Sequence, residues 1–344
     1  MTTQTPISSP APSRALQGIL CVELGMLVFV AQDALMKYLL PIYSIWLLLF
    51  IRSVLATLIL VPMILWLRGP HRLLTPLWPL HAIRGALFAV GFSLFYAAFP
   101  FMGLAEVSTI FFSAPLLTAL FAAVWLKESI GRHRIAALVT GFIGVVIAIN
   151  PSADGFELVA ILPFFCAVAY AMGQVLARQV GDRESSLTLG LHTLFFSGVL
   201  ILPMGWIVNQ LVPATHDFVH LKLAFPREAL DDVPRLALLG VTGMLGYILL
   251  SRAYQVASAS LVAPFDYTYL PIATAMGYFF WGEVPPTATY IGMVLIVGSG
   301  LYVGYRELRA TKDSDDAALV GESVFPPAAP PLTQIPDEEN KWDQ

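Results

Sequence analysis

Charged side chains are scarce in this sequence. Asp, Glu, Lys and Arg make up 12% of its 344 residues, and apolar residues make up 57%. A soluble domain carries about 25% charged residues, so this chain has too few of them to cover a surface that faces water. Its net charge of -4 gives no indication of a nucleic-acid partner. The composition therefore predicts a membrane protein whose main neighbour is lipid.

Cysteine is also rare, which excludes a disulfide-stabilised fold. The two cysteines, Cys21 and Cys166, lie inside apolar stretches and lack the spacing of a metal or redox motif. His216 and His220 have the spacing of a helical metal-binding pair, but no third ligand accompanies them in the sequence. A Walker-type phosphate loop is missing as well. We therefore predict no metal, no cofactor and no ATPase domain.

Apolar stretches that are long enough to cross a bilayer follow one another along most of the chain. A hydrocarbon core about 30 Å thick requires roughly 20 apolar residues per helix. The predicted transmembrane helices cover residues 15–38, 45–67, 80–100, 104–126, 133–150, 156–178, 187–209, 233–254, 258–281 and 287–306. The expected fold class is an all-α integral membrane protein with ten transmembrane helices. The composition of the tails at 1–14 and 307–344 predicts disorder.

Lys and Arg residues flank alternate loops, and this bias predicts the orientation of the chain. It places the N- and C-termini in the cytoplasm of a multi-pass protein of the inner (plasma) membrane. A division near residue 152 gives five helices in 15–152 and five in 153–306. Because five is an odd number, the second half enters the membrane upside down relative to the first. The sequence thus predicts two inverted repeats, an arrangement that secondary carriers use to alternate between inward-open and outward-open states.

Short motifs recur near the end of the fourth helix of each half. Pro115 is followed by Glu128, and Pro271 is followed by Glu283 at nearly the same spacing. Further recognisable pieces are Phe50-Ile51-Arg52, Leu104-Ala105-Glu106, Ser260 to Tyr269, Gly292, Gly298 and Gly300. In this order, the pieces resemble the EamA-type families of the drug/metabolite transporter superfamily. The resemblance implies a ten-helix carrier of small organic solutes, and residues 263–267 resemble the subgroup with riboflavin and S-adenosylmethionine uptake carriers.

Asp266 is an ionisable residue near the middle of the ninth predicted helix. A charge in hydrocarbon costs on the order of 3 kcal/mol, so it should face a cavity or a partner. Pro264 removes a backbone donor nearby, and the aromatic residues Phe265, Tyr267 and Tyr269 surround the acid. We expect one of two roles for Asp266. It is part of a substrate or proton site whose aromatic rings stack on a planar solute, or it bonds a neighbouring tyrosine or backbone group for structural reasons.

Asp33 and Arg52 are expected at nearly the same depth, from the helical rise in the first and second helices. The pattern predicts a buried ion pair. This pair either supports the structure and gates the outer side, or lets Arg52 also touch an anionic solute. Lys37 lies one helical turn beyond Asp33 and is an alternative partner for the carboxylate.

Four further polar residues are candidates for the site. Glu106 begins the fourth helix, where a carboxylate complements the helix dipole. Glu23 lies deeper in the first helix, so it faces a cavity or bonds another helix. Tyr170 and Gln174 share one face of the sixth helix, and this face is expected either to line a cavity or to pack in the core.

The hypothesis that accounts for these features is a secondary-active transporter of a small organic metabolite. Aromatic residues around an acid favour an aromatic, neutral or cationic solute, such as a vitamin, an amino acid or a nucleotide-like metabolite. We expect no enzymatic activity. The alternatives are a membrane-embedded enzyme acting on lipid and a non-transporting membrane scaffold. Proton coupling and a homodimer are both compatible with the sequence, and the direction of transport is either import or export.

Overall fold

A computed structural model describes residues 12–67, 72–125, 132–150, 158–180, 183–211, 220–224, 232–257 and 259–313. Within these ranges the chain is helical and contains no strand. Eight of the described helical segments, with Leu104–Trp125 counted as one, are long and apolar enough to cross a membrane, and the apolar helix Ile135–Ile149 is shorter. The protein is therefore an all-α multi-span membrane protein, which confirms the predicted fold class. Most of the two predicted disordered tails lies outside the described residues, as do Glu128 and His216.

The helices follow the predicted segments closely. They are α1 (Pro12–Leu39), α2 (Ile45–Trp66), α3 (Trp78–Ala97), α4 (Leu104–Phe111), α5 (Ala114–Trp125), α6 (Arg132–Ile149), α7 (Leu162–Val180), α8 (Ser186–Leu211), α9 (Val233–Val256), α10 (Ala259–Val262), α11 (Tyr269–Trp281) and α12 (Thr287–Asp313). A 3-10 turn at Leu158–Ile161 precedes α7. The last helix ends at Asp313, beyond the predicted end at 306.

Two of the predicted helices are broken near their middle, although we expected them to be continuous. In the first half, Phe112 and Ser113 separate α4 from α5. In the second half, the 3-10 turn Ala263–Thr268 joins α10 to α11. Each break contains or adjoins a proline, Pro115 or Pro264, which cannot donate the backbone bond of a regular helix. Both breaks fall in the fourth segment of their half, so they correspond to each other in the repeat.

Packing between the halves is reciprocal. The first helix of each half packs on the third helix of the other, giving the pairs α1 with α9 and α3 with α7. The second helices pair as α2 with α8, the fourth segments as α4 with α11, and the fifth helices as α6 with α12. A two-fold relation between the halves produces this pattern. Because each half has an odd number of segments, the two repeats are inverted.

Glycines allow the closest of these approaches, between α6 and α12. A Cβ atom on Gly292 would lie 2.6 Å from the carbonyl oxygen of Gly144, and a Cβ on Gly144 would lie 3.0 Å from that of Gly292. No side chain fits at 2.6 Å from a backbone atom without a shift of the helices. The two fifth helices therefore touch backbone to backbone at equivalent positions of the repeat.

The helices alternate in direction and so define two ends of the bundle. We call the end where α1 begins and α12 ends the terminal end, and the other the opposite end. α3 and α8 also begin at the terminal end, where the backbone amide of Arg72 donates to the Thr188 hydroxyl at 2.9 Å. α2 and α9 begin at the opposite end, where Tyr43 donates to Asp232 at 2.6 Å. Each end is thus tied by a bond between the two halves.

Candidate functional site

An internal cavity of about 150 Å³ lies between the first three helices of each half, α1 to α3 and α7 to α9. Its walls are mostly apolar, with few polar side chains. The polar and aromatic residues that line it include Phe29, Gln32, Asp33, Arg52, Arg84, Phe88, Phe92, Tyr96, Tyr170, Gln174 and Tyr247. The lining extends from Asp33, deep in the bundle, to Ser186, the first residue of α8. The cavity therefore reaches toward the terminal end.

Asp33 and Arg52 both line the cavity, and a tyrosine connects them. The Tyr96 hydroxyl donates to Asp33 Oδ1 at 2.7 Å and accepts a hydrogen bond from Arg52 Nη1 at 3.0 Å. Tyr269 of α11 donates to the other carboxylate oxygen of Asp33 at 2.5 Å. The predicted direct ion pair is replaced by this bridge, since no ion pair joins the two groups in the described part of the chain. The network connects α1, α2, α3 and α11.

Arg52 also contacts the aromatic wall of the cavity. The centre of its guanidinium group lies 5.4 Å from the ring centroid of Phe88, 5.2 Å from that of Phe92 and 5.8 Å from that of Tyr96. These distances are within the range of cation–π attraction, which strengthens when the cation is removed from water. The rings therefore help to hold an arginine charge inside the membrane next to the cavity.

Two buried polar atoms on cavity-lining residues have no hydrogen-bond partner in the described part of the chain. Arg84 donates through Nε to the Gly173 carbonyl at 3.3 Å, but its Nη1 is buried and has no partner among the described residues. Gln32 Oε1 is also buried and has no hydrogen-bond partner within the described ranges. Buried polar groups are normally satisfied. One unpaired donor and one unpaired acceptor beside a cavity are therefore suited to a bound solute with complementary groups.

Tyr170 and Gln174, predicted to share a face of the sixth helix, both line the cavity. Gln174 Nε2 donates to the Tyr170 hydroxyl at 2.6 Å. The Tyr170 ring also packs edge-on against Phe92 and Phe111, with centroid distances of 6.4 and 5.4 Å. These contacts fix the orientation of both side chains at the wall contributed by α7.

Lys37 does not pair with Asp33, the alternative raised from the sequence. It forms an ion pair with Glu283 and donates to the Met102 carbonyl at 2.8 Å. The Glu283 carboxylate also accepts the backbone N–H of Leu104 at 2.9 Å, so it caps the start of α4. Glu106 lies in the first turn of α4, as predicted, and accepts a bond from the Gly103 backbone. This polar cluster closes the opposite end of the bundle, away from the cavity.

The residues around Asp266 lie outside the cavity lining. Asp266 is buried in the 3-10 turn, where the Tyr254 hydroxyl of α9 donates to its carboxylate at 3.3 Å. The Tyr267 ring packs on Phe112, with 5.7 Å between centroids. Of the predicted aromatic set, Tyr269 reaches the site through Asp33, whereas half-buried Phe265 and Tyr267 do not line the cavity. The geometry agrees with the structural alternative for Asp266, a bond to a neighbouring tyrosine.

Four other residues considered in the sequence lie at separate places in the fold. Glu23 is half-buried on α1, outside the cavity lining. Cys166 lines the cavity, and Cys21 does not. His220 is buried near Ala97, and desolvation lowers the pKa of its imidazole. Within the described ranges, no group of three His, Cys, Asp or Glu side chains could hold a metal ion.

Sequence reasoning missed the wall contributed by α3. Arg84, Phe88, Phe92 and Tyr96 recur every four residues and therefore lie on one face of this helix. The four-residue spacing of these side chains, with an arginine as the first of them, was the sequence pattern that could have predicted this wall.

Comparison with a family model shows similarity across both halves of the chain. The model of the EamA-like transporter family matches residues 16–150 and 158–305. The two matched stretches together contain every residue that lines the cavity.

Curated proteins with known names are similar over most of their length. The chain is 26% identical to an S-adenosylmethionine uptake transporter of Rickettsia bellii, over 81% of this chain and 90% of that protein. It is 28% identical to a riboflavin transporter of Vibrio cholerae, over 86% of this chain and 96% of that protein. It is also 27% identical to a pseudopaline exporter of Pseudomonas aeruginosa, over 81% and 93% respectively. All three relatives are transporters of small molecules.

Proposed function

Because the chain belongs to the EamA-like transporter family, we propose that it is a secondary-active carrier that moves a small organic metabolite by alternating access. The observation that carries this proposal is the position of the cavity, which is lined by the same three helices of each inverted half. A site between two such halves can be exposed to either side when one half rocks against the other. The protein acts by transport and not as an enzyme.

The cavity walls favour a solute with a planar aromatic part and polar groups at its edges. Phe88, Phe92 and Tyr170 offer ring faces or edges for stacking. Arg84 Nη1 and Gln32 Oε1 offer an unpaired donor and an unpaired acceptor among the described residues. S-adenosylmethionine and riboflavin, named for two of the relatives, both combine a fused aromatic ring system with hydroxyl groups. We therefore propose them as the first solutes to test.

We further propose that the protein lies in the inner (plasma) membrane with both termini in the cytoplasm. This orientation follows from the Lys and Arg residues in the loops at the terminal end. The terminal end is then the cytoplasmic end, so the cavity extends toward the cytoplasm. Because named relatives include both uptake carriers and an exporter, the direction of net transport is part of the test.

The test is transport of labelled S-adenosylmethionine and riboflavin in proteoliposomes, within a mixed pool of labelled metabolites. Arg84→Gln removes the unpaired donor, and Arg132→Gln is the matched control because Arg132 is an exposed arginine on α6. We expect at least one solute to enter or leave faster than in empty vesicles, with about a tenfold loss for Arg84→Gln, the effect of one buried charge-assisted bond. Arg132→Gln should transport as the wild type does. Failure of every solute to move would contradict the proposal.

A further inference from the structure

Two histidines and a glutamate form a buried cluster at the terminal end of the cavity. His81 lies near the start of α3, Glu184 lies two residues before the start of α8, and His192 lies about two turns into α8. The cluster therefore joins the first half of the protein to the second. Arg84, one turn beyond His81 on α3, lines the cavity next to it. We call His81, Glu184 and His192 the histidine cluster.

The Glu184 carboxylate accepts two hydrogen bonds from the first half. Its Oε2 atom lies 2.6 Å from His81 Nε2, and its Oε1 atom accepts a bond from the Thr75 hydroxyl. The side chains of His81 and Glu184 are 0% and 1% exposed. An isolated carboxylate would be unstable in such a dry position. The cluster therefore needs a positive charge close by.

His192 supplies that charge through its own contacts. Its Nδ1 lies 2.8 Å from the Thr188 carbonyl oxygen, and its Nε2 lies 3.1 Å from the Leu73 carbonyl oxygen. A carbonyl oxygen can only accept a hydrogen bond, so only the imidazolium form of His192, with a proton on each ring nitrogen, can make both bonds at once. Removal of either proton would place a nitrogen lone pair against a carbonyl oxygen. The bond to Leu73 crosses from one half to the other.

His81 is neutral in the same arrangement. Its ring stacks on that of His192, with 4.9 Å between centroids and 23° between planes. Two stacked cations would repel each other, so His81 donates its single N–H to Glu184. Its Nδ1 is buried without a partner in the described part of the chain. Among the described residues, Arg84 of α3 also faces His81, and Tyr247 of α9, which faces Arg84, donates to the Ser186 carbonyl at 2.8 Å.

We propose that the histidine cluster is the binding site for a coupling proton, which is held on His192 and keeps the cavity closed between α3 and α8. This inference rests on the proposed carrier function and adds the coupling ion and its site. The proton binds the closed arrangement more tightly, because that arrangement supplies two carbonyl acceptors and a balancing carboxylate. By linkage, low pH favours the closed form and rising pH favours opening at the terminal end. Arg84 places a bound solute next to this proton site.

Cys166 provides a readout that needs no substrate. It lines the cavity, and in a Cys21→Ser background it is the single cysteine of the chain. Membrane vesicles of both orientations are treated with a membrane-impermeant thiol reagent at about pH 5.5 and about pH 8.5. His192→Gln removes the proton site, and dividing the wild-type rate by the His192→Gln rate at each pH cancels the ionisation of the thiol itself. His133→Gln, an exposed histidine on α6, is the matched control.

We expect this ratio to rise about tenfold between the two pH values, the effect of a tenfold preference of the proton for the closed form. The rise should appear in vesicles that expose the terminal end and not in the other orientation. His133→Gln should behave as the wild type does. A ratio that does not change with pH, or a rise seen equally from both sides, would overturn the proton site.

A second variant covers the case in which His192→Gln does not fold. Glu184→Gln removes the balancing charge, so its labelling response should move to lower pH than that of the wild type, and an unmoved response would also overturn the inference. The carrier function is judged separately, by solute movement in proteoliposomes. If labelling responds to pH but no solute moves, the carrier proposal fails and the proton-binding site stands. If a solute moves but labelling ignores pH, the carrier stands and the proton site fails.

Discussion

Replacement of Tyr96 by phenylalanine should destabilise the protein more than any other loss of a tyrosine hydroxyl at the site. The side chain is fully buried and its hydroxyl makes two hydrogen bonds, one to the Asp33 carboxylate and one from the Arg52 guanidinium. A hydrogen bond to a charged group contributes about 1.5–3 kcal/mol. Because Arg52 keeps its contacts with Phe88 and Phe92, we expect a net loss of about 3 kcal/mol, the lower part of the range for two bonds.

Two other tyrosines provide comparisons for the stability cost expected of Tyr96→Phe. Tyr269→Phe removes one bond to Asp33, so its cost should be about 2 kcal/mol. Tyr302→Phe removes an exposed bond to His133 and should cost less than about 0.5 kcal/mol. The assay is unfolding of the purified protein in mixed detergent micelles, with stability taken from the midpoint and slope of each curve. The expected order of destabilisation is Tyr96→Phe, then Tyr269→Phe, then Tyr302→Phe.

The result that would refute this reasoning is a Tyr96→Phe protein that unfolds like Tyr302→Phe. It would mean that Asp33 and Arg52 do not depend on the tyrosine bridge. Combining Tyr96→Phe with Asp33→Asn tests the same point, because the two changes should cost less together than the sum of their separate costs. Simple additivity would place the two residues in separate networks.

Three further changes have expected outcomes that the same unfolding assay can check. Gly292→Ala should cost about 1–3 kcal/mol, because its Cβ would lie 2.6 Å from the Gly144 carbonyl oxygen, whereas Gly298→Ala on the same helix meets nothing within 4 Å and should be neutral or stabilising. Lys37→Met leaves Glu283 without its ion-pair partner at the opposite end, so we expect a loss of stability of about 1–3 kcal/mol. Cys166 should also be labelled faster from that end. Unchanged labelling would show that this ion pair does not help to close the opposite end of the bundle. Burial lowers the pKa of His220, so the unfolded chain binds a proton more readily and stability should fall as pH drops below about 6.5. His220→Gln should flatten that part of the pH profile, and an equally steep profile would assign the effect to other groups.

Length and hydropathy were sufficient to predict the ten segments, because each segment must satisfy its backbone within the bilayer. The breaks at Phe112-Ser113 and at Ala263–Thr268 were not predicted. A proline in an apolar stretch is compatible with a kink, with a break or with a helix start, and the choice depends on the helices packed around it. The sequence marks such a position without deciding among these outcomes.

The depth of a residue along its helix could be predicted from the sequence, but the side of the helix on which its side chain lies could not. The helical rise correctly placed Asp33 and Arg52 at a common depth, and a tyrosine of α3 then bridges them. The same reasoning singled out Asp266 for its depth, yet this residue bonds Tyr254 and lies outside the cavity lining. Which face of a helix meets the cavity depends on how the two halves pack. That packing also brings His81 to Glu184, two residues that are far apart in the sequence.

Protection of Cys166 by a transported solute is the decisive measurement, because it reports whether the solute occupies the cavity between the two halves. In the Cys21→Ser background, labelling is followed with and without the solute that moves in proteoliposomes. We expect this solute to slow labelling of Cys166 with the same concentration dependence as its transport, and we expect Arg84→Gln to weaken both effects together. A solute that is transported normally but leaves the labelling of Cys166 unchanged would show that the transport path lies elsewhere in the protein.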